Sequence, residues 1–230
     1  FTPTMVDPEV KIKRLCEIVG SDSKVILLIR NNFAFLKSLW SQMVKEGLPL
    51  SFSEYCEYLW DFQDRNCFFE CLYDLQYERL ARYFGGDNVK VIPLEFYRAS
   101  GGKLTRTYDK IDLITELCLA LGVDYPLDFT LPPVNVSLSD NELFHKLKLN
   151  KKYRHDFGNL LFEPSNIHRS RKQLEWLGAD ERRDLFRDVK MKRLLLSEAK
   201  SAAKKSSSKV SFDLPEKLAK DLGRLFRESN

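Results

Sequence analysis

Arg30 and Ser38 are the residues of this chain whose types and spacing could do chemistry together. Arg30 closes the apolar block Val25–Ile29, and Ser38 follows eight positions later in N-N-F-A-F-L-K-S-L-W-S-Q. A β-branched and leucine block without alternation reads as a strand covered on both faces. Arg30 would then stand at a strand's carboxyl end, where parallel α/β sheets collect ligands. A helix starting right after it turns free N–H groups and the positive end of its dipole toward the same spot. Ser38 lies about 160° from Leu36 and Trp40 at 100° per residue, off the apolar stripe. A guanidinium offers a planar fork for two phosphate oxygens and a hydroxyl adds one short donor, so the pair could hold a phosphate. The alternative is an arginine capping a sheet edge and an exposed helix serine, and spacing alone leaves both readings open.

The elements that would position these two residues follow from periodicity. Asp7-Pro8-Glu9 opens an amphipathic helix carrying Val10, Leu15, Ile18 and Val19, which closes near Gly20. After the strand, Leu36, Leu39, Trp40, Met43 and Val44 share one stripe of a helix running from Phe33 to Glu46. Ser51 with Glu54 forms a capping box, and a further helix covers Glu70 to Phe84 and ends at Gly85-Gly86. Val89 to Leu94 is the second buried strand, with Pro93 marking an edge or a terminating bend. A third strong helix spans Thr107 to Leu121, stopped by Gly122. This alternation predicts an α/β fold, a parallel β-sheet flanked by helices. A proline-containing connector after Pro126 leads into a short helix and then a mostly helical, basic remainder. Within it Ser197 to Lys209 reads as a frayed helix or mobile loop, and a last amphipathic helix covers Leu214 to Phe226. The organisation expected is an α/β nucleotide-binding core over 1–133 and a helical C-terminal extension of the same domain over 134–230.

Composition bounds the function classes. With 43% hydrophobic and 30% charged residues the 230-residue chain has the make-up of a globular protein, and no apolar run is long enough to span a bilayer. The net charge of +4 is unevenly spread, since Glu181 to Lys209 holds ten Lys or Arg against four Asp or Glu, so an anionic partner is allowed. That basic helix has Phe186 as its lone aromatic and no accompanying nucleic-acid motif, which argues against a nucleic-acid partner. The five cysteines form an odd set among apolar residues, which suits reduced thiols in a reducing, cytoplasmic compartment. Cys67 and Cys71 lack the partner pair of a zinc site, and no metal is expected.

K-V-I-L-L-I-R-N-N-F-A-F-L-K-S-L-W-S-Q resembles the 3'-phosphate-binding segment of sulfotransferases that use 3'-phosphoadenosine 5'-phosphosulfate (PAPS). In that family a strand ends in Arg-Asn and a Ser follows eight residues after the Arg, which Arg30 and Ser38 match; Asn32 stands where Pro, or Gln in a bacterial group, is usual. Y-D-L-Q-Y-E-R-L-A-R-Y-F-G-G-D-N-V-K-V-I-P-L-E-F-Y-R resembles the family's helix, Phe-Gly turn, strand and Glu, here Glu95. Val134–Ser139 and the C-terminal L-P-E-K-L-A-K-D-L-G-R-L-F-R-E-S-N are similar to the tail of the bacterial group. The resemblance covers nearly the whole chain. It implies the sulfotransferase or P-loop-like fold, cofactor binding by Arg30 and Ser38, PAPS and adenosine 3',5'-bisphosphate as co-substrate and product, and a hydroxyl-bearing acceptor such as a glycan.

The same resemblance implies a Gly-rich 5'-phosphosulfate loop upstream of Arg30, and no such loop is visible in F-T-P-T-M-V-D-P-E-V-K-I-K-R-L-C-E-I-V-G-S-D-S. The catalytic base is unassigned, because Asp7 and Glu9 read better as first-turn helix charges. Gly101-Gly102-Lys103, between the second strand and a helix, fails the phosphate-loop spacing and reads as a surface turn, with Tyr97 and Leu104 at the positions that matter. His145, His155 and His168 with Lys146, Lys148, Lys151, Lys152 and Arg154 could meet an acidic substrate or form a solvated helix face, and Arg169, Arg171 and Lys172 offer the same choice. Two functions stay open from the residues: a sulfotransferase or its larger part, and a non-catalytic sulfotransferase-like binding or assembly module.

Overall fold

A computed structural model describes residues 8–61, 72–100, 103–106, 111–124, 137–157 and 179–228. The chain divides into two interleaved units: a sheet unit of Thr4–Phe35, Cys67–Val136 and Leu222–Asn230, and a helical unit of which Leu36–Asn66 and Ser137–Asp221 are the main stretches.

In the sheet unit, α1 (Pro8–Val19) leads into β1 (Val25–Ile29), and α4 (Tyr73–Phe84) into β2 (Val89–Pro93), with α2 (Asn32–Lys45) and α3 (Phe52–Asp61) lying between them in sequence. The two strands pair in parallel, Val25 opposite Val89 through Ile29 opposite Pro93, giving the mixed α/β character that the alternation of elements predicts. Successive strand residues point to opposite faces. Val25, Leu27 and Val89 pack with Ile12, Leu80 and Phe84 of α1 and α4, while Ile26 and Ile92 pack with Tyr97, Leu113 and Leu117 on the other side. Coverage of β1 is incomplete all the same: Leu28, on the Ile26 face, is 43% exposed.

Two further strands, β3 (Tyr97–Ser100) and β4 (Lys103–Arg106), form an antiparallel hairpin in which Ser100 pairs with Lys103. The segment Gly101-Gly102-Lys103 therefore joins two strands; it does not feed a helix. Of the helix expected over Thr107 to Leu121, residues 107–110 lie outside the described residues, and Ile111 and Asp112 are not helical. Helix α5 begins at Leu113, where Asp112 accepts from the Thr115 N–H at 3.0 Å and from its hydroxyl at 2.7 Å, and ends at Gly122 in the left-handed region, φ 68°. Removing an N-cap side chain costs about 1 kcal/mol. Asp112→Ala should lower stability by about that much in a urea titration, with Asp112→Asn recovering most of it.

The helical unit contains most of α2 (Asn32–Lys45), α3 (Phe52–Asp61), α6 (Asp140–Phe157) and α7 (Ala179–Ala203). The stripe read on α2 is the buried one, with Leu36, Trp40 and Val44 at 1% exposure or less. The Trp40 indole donates to the Leu50 carbonyl at 3.0 Å and meets Phe52 and Phe212 edge to face. The Ser51–Glu54 capping box forms as expected, in both directions. A second one, Ser139 with Glu142, starts α6. That helix runs for 18 residues where a short one was expected, and pairs with α7 through Leu149, Tyr153, Met191 and Leu195.

Ser197 to Ala203 is regular helix, and the turn beyond it is pinned. The Asn141 amide donates to the Ala203 and Ser206 carbonyls and accepts from the Ser208 N–H, satisfying groups that a helix end leaves open. The frayed or mobile segment expected there is instead tied down. Finally, α8 (Glu216–Glu228) buries Leu218, Leu222 and Phe226 four residues apart, and Phe226 meets Phe33 edge to face at 5.3 Å.

Candidate anion site at the strand ends

Arg30 stands one residue past β1, exposed, where the carboxyl ends of two parallel strands meet. The backbone after it turns directly into α2. Asn31 is the N-cap: its side-chain oxygen accepts from the Ala34 N–H at 3.1 Å and its carbonyl from the Phe35 N–H at 2.8 Å. That leaves the N–H groups of the first helical residues, Asn32 and Phe33, without partners among the described residues. The Asn31 N–H points the other way and donates to the Glu95 carboxylate, which arrives from just beyond β2. So Arg30 and Glu95, singled out from separate stretches of sequence, are brought to one end of the parallel pair.

Ser38 is exposed on α2, in the helical unit, and its neighbour Lys37 lies over the Phe212 ring at 4.7 Å. Asn32 behaves differently from both. It is 3% exposed, and neither atom of its amide has a hydrogen-bond partner among the described residues. Burying unpaired polar atoms costs about 1 to 3 kcal/mol each, so the Asn32 amide is a costly choice at the start of α2, and its side chain adds nothing to the exposed face that carries Arg30.

The other candidates sort by what they touch. Glu9 accepts from Arg82 at 2.7 Å and from the Tyr83 hydroxyl at 3.2 Å, a bond between α1 and α4 that fits the structural reading of its charge. Asp7, Cys67, Cys71, His168, Arg169, Arg171 and Lys172 lie outside the described residues, as do the side chains of Arg154 and His155. Cys56 is buried and its thiol is pushed up to about 12 by that burial, which leaves it a packing residue. His145 meets the Ser206 hydroxyl at 2.8 Å, and Lys151 lies 3.5 Å from Glu54. A cavity of about 340 Å³ between β2, β4 and α5 is lined by Lys90, Arg106, Ile111, Glu116, Leu119 and Ala120, and its arginine is paired with Glu116 at 2.9 Å.

Lys146 departs most from its reading as part of a solvated or substrate-facing cluster. It is fully buried and donates to the Asn150 side-chain oxygen at 2.6 Å. Asn150, also buried, spends both amide hydrogens on the Val44 and Leu48 carbonyls at 2.9 Å. The pair thus satisfies carbonyls at and just beyond the end of α2. Burial and the nearby Lys192 depress the Lys146 ammonium to about 8, against a smaller upward pull from Glu46. The spacing of Leu143, Lys146, Asn150 and Tyr153 along α6, a buried helical stripe with two polar members, is the sequence signal that finds this network.

Among the described residues no helix is long and apolar enough to cross a membrane. No family model, curated protein or solved structure matches this chain.

Proposed function

We propose that the chain carries the 3'-phosphate half of a PAPS site in a P-loop-like sulfotransferase, with Arg30 and Ser38 as its ligands, and serves transfer of a sulfuryl group to an acceptor hydroxyl such as one on a carbohydrate. What carries the reading is the hydrogen bond from the Asn31 N–H to Glu95. It joins two segments of the sequence that resemble the same family, at the carboxyl ends of two parallel strands. An exposed guanidinium there, beside unpaired N–H groups at a helix start, is the chemistry that welcomes a phosphate.

In the reaction the acceptor oxygen attacks sulfur in line while the bond from sulfur to the bridging oxygen breaks. The hydroxyl proton passes to a base that is unassigned in this chain, and adenosine 3',5'-bisphosphate leaves. Arg30 and Ser38 would orient the nucleotide and take no part in these bond changes.

Calorimetric titration with adenosine 3',5'-bisphosphate tests the assignment. A charge-assisted hydrogen bond contributes about 1.5 to 3 kcal/mol and a neutral one about 1. Arg30→Ala should therefore weaken binding by about 10- to 150-fold and Ser38→Ala by about fivefold, while Lys90→Ala should leave it unchanged. Absence of saturable binding, or equal binding by wild type and Arg30→Ala, overturns the reading.

A further inference from the structure

The exposed side of α7 carries a charge pattern that the nucleotide reading does not use. At 100° per residue, Lys190, Arg193, Ser197 and Lys200 fall within an arc of about 80°, opposite the buried Leu195 and Ala199, and Lys204 follows one residue past the helix end. All five are exposed, and the four on the helix line about 15 Å of it at 1.5 Å per residue. The one carboxylate between Lys190 and Lys204 is Glu198, which lies about 80° beyond the edge of this arc. Lys190, Arg193, Lys204, Lys205 and Lys209 have no ion-pair partner among the described residues. Lys200 has Glu142 of α6 nearby, a carboxylate already accepting from the Ser139 N–H and hydroxyl. The Asn141 clamp on the turn after Ala203 holds the chain that leads on to Lys205 and Lys209.

A row of like charges held parallel on one helix face repels itself, and a linear counter-charge relieves that repulsion. We propose that this row binds a linear anionic polysaccharide, its sulfate or carboxylate groups spaced along the lysines and arginine, with the Ser197 hydroxyl as a further donor. The shape selects this occupant. The row is one side chain wide, which suits a single extended polymer. Among the described residues it has no aromatic side chain on which a nucleic-acid base could stack, and the one exposed large apolar residue beside it there, Leu194, is too little to insert into a lipid surface. The proposal stands on α7 alone and holds whether or not Arg30 binds a nucleotide.

The test compares two fourfold variants of the whole chain. Lys190→Gln/Arg193→Gln/Lys200→Gln/Lys204→Gln empties the row, and Lys11→Gln/Lys148→Gln/Lys152→Gln/Lys217→Gln removes the same charge from other exposed positions. Binding of dextran sulfate and of polygalacturonate, at several salt concentrations, distinguishes sulfate from carboxylate recognition. The row variant should lose about tenfold or more in affinity and lower the salt slope by about 3, whereas the control should stay within about twofold. A Lys190→Arg/Lys200→Arg/Lys204→Arg variant, which keeps the charge, should bind like wild type and shows that the row's charge is what the polymer reads. Failure to bind either polymer, equal losses in the row and control variants, or tighter binding to duplex DNA or to phosphatidylserine vesicles overturns the proposal.

Discussion

Trp40→Ala should destabilise the chain by about 4 kcal/mol, the largest loss expected of any single core truncation here. The residue is fully buried, and its ring meets Phe52 and Phe212 edge to face at 5.9 and 5.6 Å. Those two rings also contact each other at 5.4 Å, so removing the indole opens a cavity between partners already locked against one another. Large-to-small changes of this kind cost about 3 to 5 kcal/mol because the surroundings collapse only partly. The indole N–H bond to the Leu50 carbonyl also disappears, leaving that part-buried carbonyl without this donor. Trp40→Phe should lose the hydrogen bond and part of the volume, about 1 to 2 kcal/mol. Urea titrations of the three proteins check the order. Because Trp40 anchors the same helix that carries Ser38, the alanine variant should also weaken any nucleotide binding that Ser38 supports, while a loss below about 1 kcal/mol would show that the aromatic cluster does not hold α2.

What could be read from the sequence is what local physics determines. The limits of β1, the stripe Leu36, Trp40 and Val44, the Ser51–Glu54 box and the stop at Gly122 each depend on residues within a few positions of one another. The parallel pairing of β1 with β2 followed from the order of elements alone. The misreadings arise where strands are too short to show a period and where order comes from contacts made far along the chain. From the sequence the β3–β4 hairpin reads as no more than a surface turn at Gly101-Gly102-Lys103, because its four-residue strands are too short to establish a period. Ser197 to Lys209 looked loose because it lacks large apolar residues, yet its order comes from Asn141, some 60 positions earlier. The Ser139–Glu142 box, by contrast, was available as a local signal and lay hidden in the proline-containing connector.

For the candidate site, the sequence supplied Arg30 and Glu95, and the link between them, through the Asn31 N–H, needed the fold. Asn32 shows the limit of a motif. One position past Asn31 the helix turns its side chain inward, so type and spacing place it with Arg30 while burial separates them.

Lys146→Met should make the chain more stable at pH 7, and should remove a rise in stability that the wild type shows between about pH 8 and 10.5. The ammonium is buried with one neutral acceptor, Asn150, and the charges around it are Lys192 from α7 and Glu46 from just beyond α2, themselves 4.0 Å apart. Burial lowers its pKa from 10.5 to about 8. In that window the unfolded chain holds a proton that the folded chain has released, so stability climbs with pH; below pH 8 both states are protonated and the folded state bears the full cost. A shift of this size corresponds to about 3 kcal/mol as an upper bound. Methionine has the length to fill the space without a charge, but it leaves the Asn150 oxygen without its donor, at about 1 to 2 kcal/mol. A net gain of about 1 to 2 kcal/mol at pH 7 should remain, in line with buried charges replaced by apolar residues of similar volume. Asn150→Leu should do the reverse: it strands the ammonium and frees the Val44 and Leu48 carbonyls, a loss of about 3 kcal/mol or more. Chemical denaturation at pH 7, 8.5 and 10 separates the cases, since the advantage of Lys146→Met over wild type should shrink as pH rises. An advantage that stays constant over that range would mean that Lys146 keeps its proton in the fold, with the pull of Glu46 outweighing burial and Lys192.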